Sequence, residues 1–109
     1  MSRTVTKELT SDTFAALLNG RFRLILGPEA RMDVELVEFN AGSRSAHHEA
    51  FSIVFRAPVE APVEQRIYRL EHESIGAFEL FLVPIGKSLE GVRYEAVFNR
   101  TIDQTPVGE

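Results

Sequence analysis

The sequence contains no cysteine, which excludes disulfide staples, thiol catalysis and thiolate metal sites. It has no apolar run approaching the roughly 20 residues that a helix needs to cross a bilayer. The opening Met1-Ser2-Arg3-Thr4-Val5-Thr6-Lys7 lacks the apolar stretch of a signal peptide. The expectation is a soluble, cytoplasmic protein that does not engage membranes. Internal repeats and low-complexity tracts are absent as well. Lysine is scarce: Lys7 and Lys87 stand against ten arginines. The arginines are scattered singly apart from Arg21 and Arg23, which fits coding bias better than a built carboxylate or phosphate site. The net charge of −4 argues against nucleic acid as a partner, because phosphate contacts need clustered cations.

What is present is the composition of an ordinary small domain. The 109 residues are 44% apolar and 26% charged, which is globular and not disordered. That length holds one domain, able to bury roughly 60–70% of its unfolded surface. The boundaries read from the pattern are a lead over 1–8, a single β domain over 9–99 and a loose tail over 100–109.

A short helix comes first. Thr10 is placed to cap it and Asp12 lies in its first turn, where the helix dipole favours an acid. Leu9 and Phe14 flank the cap as a hydrophobic staple. Phe14, Leu17 and Leu18 form one apolar stripe, and Gly20 sits where a terminating glycine belongs. Thr13 occupies the position where a capping box usually has an acid.

The period then changes to two, the signature of strands. Phe22, Leu24 and Leu26 alternate; after the Gly27-Pro28 turn, so do Met32, Val34 and Leu36. The phase slips to Val37 and Phe39, which predicts a bulge near Leu36. Residues 40–50 read as a loop, and Phe51, Ile53 and Phe55 start another strand. Pro58 and Pro62 bracket a second loop. Strands over about 65–72, 77–85 and 92–99 form a meander, in a register where Arg69 faces Glu79, Ile67 faces Phe81, and Phe81 faces Val97. The fold class is mainly β: a small antiparallel six-stranded barrel or sandwich with one short N-terminal helix.

These segments also carry a resemblance. Leu9-Thr10 with Phe14, Phe22-Arg23-Leu24, and Phe51-Ser52-Ile53-Val54-Phe55-Arg56 with Pro58 resemble the opening blocks of an uncharacterised bacterial domain family. Tyr68-Arg69-Leu70-Glu71-His72 with Gly76, Phe81-Leu82-Val83-Pro84-Ile85-Gly86, and Tyr94-Glu95-Ala96-Val97-Phe98-Asn99 continue it across residues 9–99. The last two blocks are the most specific. Members of that family are small, have no assigned activity, and are often encoded beside proteins that resemble phage-tail collar proteins. The resemblance implies an accessory or structural role and carries over no catalytic residue. It is expected to be weakest over 41–49.

Few constellations suggest chemistry. His47-His48-Glu49 is the densest set of potential ligands. Adjacent strand residues point to opposite faces, however, and the four-residue histidine spacing of a helical zinc site is missing. These three residues read as a solvated polar loop, with a weak alternative as a metal or general-base site. Glu71-His72-Glu73 reads as a hairpin-end surface for the same reason. Ser43, Ser45, Ser52, Ser74 and Ser88 lie in no nucleophile elbow. Gly86-Lys87-Ser88 has the ending of a phosphate loop without its upstream glycine or following helix. The aromatics Phe51, Phe55, Tyr68, Phe78, Tyr94 and Phe98 share strand parity with Ile53, Leu70, Leu80 and Leu82, which makes them core and not a base-stacking platform.

The expectation is therefore a non-enzyme with no catalytic residues, cofactor or metal. It would be a structural or protein-interaction module, accessory to a phage-tail-like assembly, with a protein partner or self-association. The alternative is a small-ligand-binding β-barrel or weak enzyme using the 41–50 loop. The candidate interaction surface is the row Ile67, Phe81 and Val97, continued by Val83 and Ile85. The helix stripe of Phe14, Leu17 and Leu18 is expected to cover part of that row.

Overall fold

The computed structural model describes residues 10–45 and 48–101. Along the chain it contains α1 (Ser11–Ala16), β1 (Arg21–Gly27), β2 (Ala30–Arg44), β3 (His48–Ala57), β4 (Arg66–His72), β5 (Gly76–Ser88) and β6 (Gly91–Thr101). The six strands form one antiparallel sheet that closes in the order β1-β2-β3-β6-β5-β4. The expected mainly-β fold with one short helix is what forms, as a barrel and not a sandwich. Two three-stranded meanders, β1–β2–β3 and β4–β5–β6, join where β3 pairs with β6 and β1 pairs with β4.

The two long strands make closure possible by changing partner halfway. Residues 30–35 of β2 pair with β1, and residues 35–44 pair with β3. The register shifts between Leu36 and Glu38, where the phase of the apolar pattern slips. Likewise β5 pairs with β4 over 76–82 and with β6 over 83–88, with a shift between Pro84 and Gly86. The β4–β5 register matches the expected one: Ile67 faces Phe81 and Arg69 faces Glu79. The β5–β6 ladder lies on the expected diagonal, with Val83 opposite Glu95 and Pro84 opposite Tyr94, but it starts at Val83 and does not reach Phe81 and Val97. The segment read as a loop over 40–50 is mostly strand, since β2 continues to Arg44 and β3 begins at His48. Main-chain pairing there satisfies groups that a loop would leave to water.

Inward-facing side chains fill the barrel, and α1 plugs one end. Thr10 Oγ1 accepts from the Thr13 amide at 3.3 Å while Thr13 Oγ1 accepts from the Thr10 amide at 3.3 Å. Thr13 thus completes the capping box in place of the usual acid. Phe14 is fully buried, its ring centroid 5.4 Å from Phe98 and 6.2 Å from both Phe51 and Phe78. The left-handed residue after the helix is Asn19, with φ of 73°, and not Gly20. Gly20 is required for space, because a Cβ there would lie 2.8 Å from the Leu17 carbonyl oxygen.

The loop over 58–65 closes the opposite end, with Ala61 buried. Tyr68 Oη donates to the Glu64 carbonyl at 2.6 Å, and Tyr94 Oη donates to the Pro62 carbonyl. Burial pushes both phenols above their ordinary value, Tyr94 more strongly because Tyr68 adds to the effect.

Candidate functional site

On the outer face of the second meander, Ile67, Phe81, Ile85 and Val97 are 64%, 52%, 51% and 70% exposed. Val83, also in the expected row, is half-buried. The helix does not cover this row. Phe14 is taken up by the barrel end, Leu17 packs against the core edge, and Leu18 is exposed. The helical stripe has its own site to fill, so the expected partial cover is not made.

Another outward apolar residue is treated differently. Val54 faces out by strand parity yet is buried. It sits in register between Glu38 and Glu95. Arg93 reaches from β6 to Glu38 on β2 at 3.3 Å, passing over the strand that carries Val54. Beside it Arg56 holds Glu35 at 2.7 Å. These pairs roof Val54, whereas Phe81 and Val97 have no such roof among the described residues.

The same face contains a parting between strands. Residues 76–82 of β5 are paired only on their β4 side, and residues 96–101 of β6 only on their β3 side. Next to this seam, a groove of about 340 Å³ crosses β2, β3 and β6. Its floor includes Ala41, Gly42, Ala50 and Val97, and Asn40, Ser52 and Asn99 add polar groups. Gly42 lets β2 and β3 approach closely, since a Cβ would lie 2.6 Å from the Ala50 carbonyl oxygen.

Of the densest set of candidate ligands, the two described members point apart. His47 lies outside the described residues. His48 Nε2 donates to Asn99 Oδ1. Glu49 points the other way: it is 3% exposed, and its Oε2 accepts from the Ser11 amide at 2.9 Å. The solvated-loop reading therefore fails for Glu49, which is a structural acid beneath the first turn of α1. Its parity with Phe51, Ile53 and Phe55 was the available signal, obscured by reading 40–50 as a loop. Among the described residues, no group of three His, Asp or Glu side chains is placed to hold a metal ion.

A second cleft, of about 700 Å³, opens where β1 and β4 part, between Gly20, Phe22, His72 and Ala77. These strands pair only from Arg23 to Ile25. Beyond that the Phe22 and His72 rings meet, with centroids 4.6 Å apart. His72 continues the inward parity of Tyr68 and Leu70 and is half-buried, so it is not simply hairpin-end surface. Its Nδ1 accepts from the Ser74 amide at 2.9 Å. Arg21 and Arg23 line this cleft together with Asp33, Glu71 and Glu73, so its charges are mixed.

Among the described residues, no helix is long and apolar enough to cross a membrane. Residues 9–98 match the model of a family described as a domain of unknown function (DUF6916). No curated protein and no solved structure matches the chain.

Proposed function

The chain belongs to the DUF6916 family of domains of unknown function, and we propose that it is a non-catalytic structural or protein-interaction module docking through its Ile67–Phe81–Val97 face. The observation that carries this reading is that four large apolar side chains on one meander are each more than half exposed. Single exposed apolar residues are normal on a monomer, but several gathered on one face with an aromatic among them mark a contact surface. The roofed Val54 supports it, because on the neighbouring strands the chain covers an outward apolar residue with ion pairs.

The partner in this proposal is a protein in a bacterial cytoplasm, and the role is accessory to a phage-tail-like assembly. Support for that setting is the sequence resemblance described above. The test is retention of host proteins on the immobilised chain, with Phe81→Arg as the comparison. A protein held by the wild type and lost from the variant is expected; identical retention by both would defeat the proposal. A second reading, a small ligand in the groove over Ala41 and Ala50, is favoured by that groove's volume of about 340 Å³. This is within the roughly 300–1,000 Å³ range of ligand sites.

A further inference from the structure

We propose that the seam between β5 and β6 receives an extended segment of a partner protein by strand addition, with apolar residues at alternate positions and lysine or arginine beside them. This rests on the reading that the Phe81 face docks a protein, and it specifies how.

The main chain carries the argument. Opposed residues in an antiparallel ladder alternate between pairs that exchange two hydrogen bonds and pairs that exchange none. Pro84, opposite Tyr94, has no N–H and cannot complete an exchanging pair. The exchanging pair is then Val83 with Glu95. Counting on by twos, the main-chain groups of Phe81 and Glu79 on β5, and of Val97 and Asn99 on β6, point into the seam. Neither stretch pairs across it. At that end of the seam the Phe14 ring of α1 packs against both Phe78 of β5 and Phe98 of β6, at 6.2 and 5.4 Å between centroids. An edge of directed N–H and C=O groups is a template for another strand. The residues offering it also display Phe81 and Val97 outward, where alternate side chains of an added strand would lie.

Charge specifies the partner further. Glu79 and Glu95 border the seam and form no ion pair among the described residues, while the nearby Arg56 and Arg93 are already held by Glu35 and Glu38. Arg69 stands opposite Glu79 without forming an ion pair to it, so the carboxylate that a cation on the incoming strand meets with no basic residue opposite is Glu95, which lies between Val54 and Val83.

The probe is a displayed library of random nine-residue peptides selected against the whole folded chain. Enriched peptides are expected to alternate apolar with polar residues and to carry lysine or arginine. Their binding should fall at least about tenfold in Phe81→Arg and in Glu95→Lys, both checked for an unchanged melt, and the amides of Phe81 and Val97 should gain exchange protection. Enriched peptides with three- and four-residue helical spacing that still require Phe81 would overturn strand addition and leave the docking face standing. No enrichment, or binding indifferent to both variants, would overturn strand addition as well. Peptides that bind without needing Phe81 would count against the docking face too.

Discussion

The Glu49 carboxylate accepts a hydrogen bond from the Ser11 amide at 2.9 Å, joining the start of α1 to β3 across 38 residues of sequence. A buried acid here satisfies a main-chain donor that the helix cannot, and it lies at the positive end of the helix dipole. Glu49→Ala should cost about 1–3 kcal/mol, the range for orphaning a buried donor, and Glu49→Gln should recover part of that. Urea unfolding of the three proteins measures it.

Phe14 should dominate the energetics of α1. Phe14→Ala empties the barrel end and is expected to cost about 3–5 kcal/mol. Leu18→Ser, in the turn that follows the helix and exposed, should stay within about 0.5 kcal/mol. Denaturant midpoints at constant slope separate the two.

The buried tyrosine pair predicts a sensitivity to alkali. Both folded phenols sit above the ordinary value of 10.0. The unfolded chain therefore releases protons that the folded chain retains. Stability is fully present below about pH 10 and is lost as pH rises toward the folded values. Melting temperature followed across that range should begin to fall near pH 10, and less steeply in Tyr94→Phe.

Gly91 has φ of 129°, and a Cβ there would lie 2.0 Å from the Ala57 carbonyl oxygen. Both the conformation and the space demand glycine, so Gly91→Ala should destabilise by about 3 kcal/mol or more. Gly27 has nothing within 4 Å of its would-be Cβ, and Gly27→Ala should be close to neutral. Thermal melts of the pair test the contrast.

Much of the fold was readable because alternation and turn chemistry agree along the chain. The β4–β5 register followed from matching Arg69 with Glu79, and the bulge followed from the phase slip after Leu36. Barrel closure was not readable, since it depends on β2 and β5 each serving two partners, which local pattern does not encode. The position of α1 is not legible for a related reason. Phe14 is taken up by the barrel end, a site that exists only once the sheet has closed. The outer row itself is legible as residues that the core parity leaves over, whereas the parting of β5 from β6 lies in where the ladder stops, at Val83 and Glu95, which local pattern does not encode.

The most direct test of the docking face is Phe81→Arg, with its thermal melt and its retention of the partner measured on the same preparation. An arginine at a half-exposed position should leave the melting temperature within about 2 °C of wild type, because surface changes stay within about 0.5 kcal/mol, while the partner is lost. A melt lowered by about 10 °C or more would show that Phe81 is packed and not presented. A partner retained at wild-type level by a stably folded variant would contradict the docking face outright.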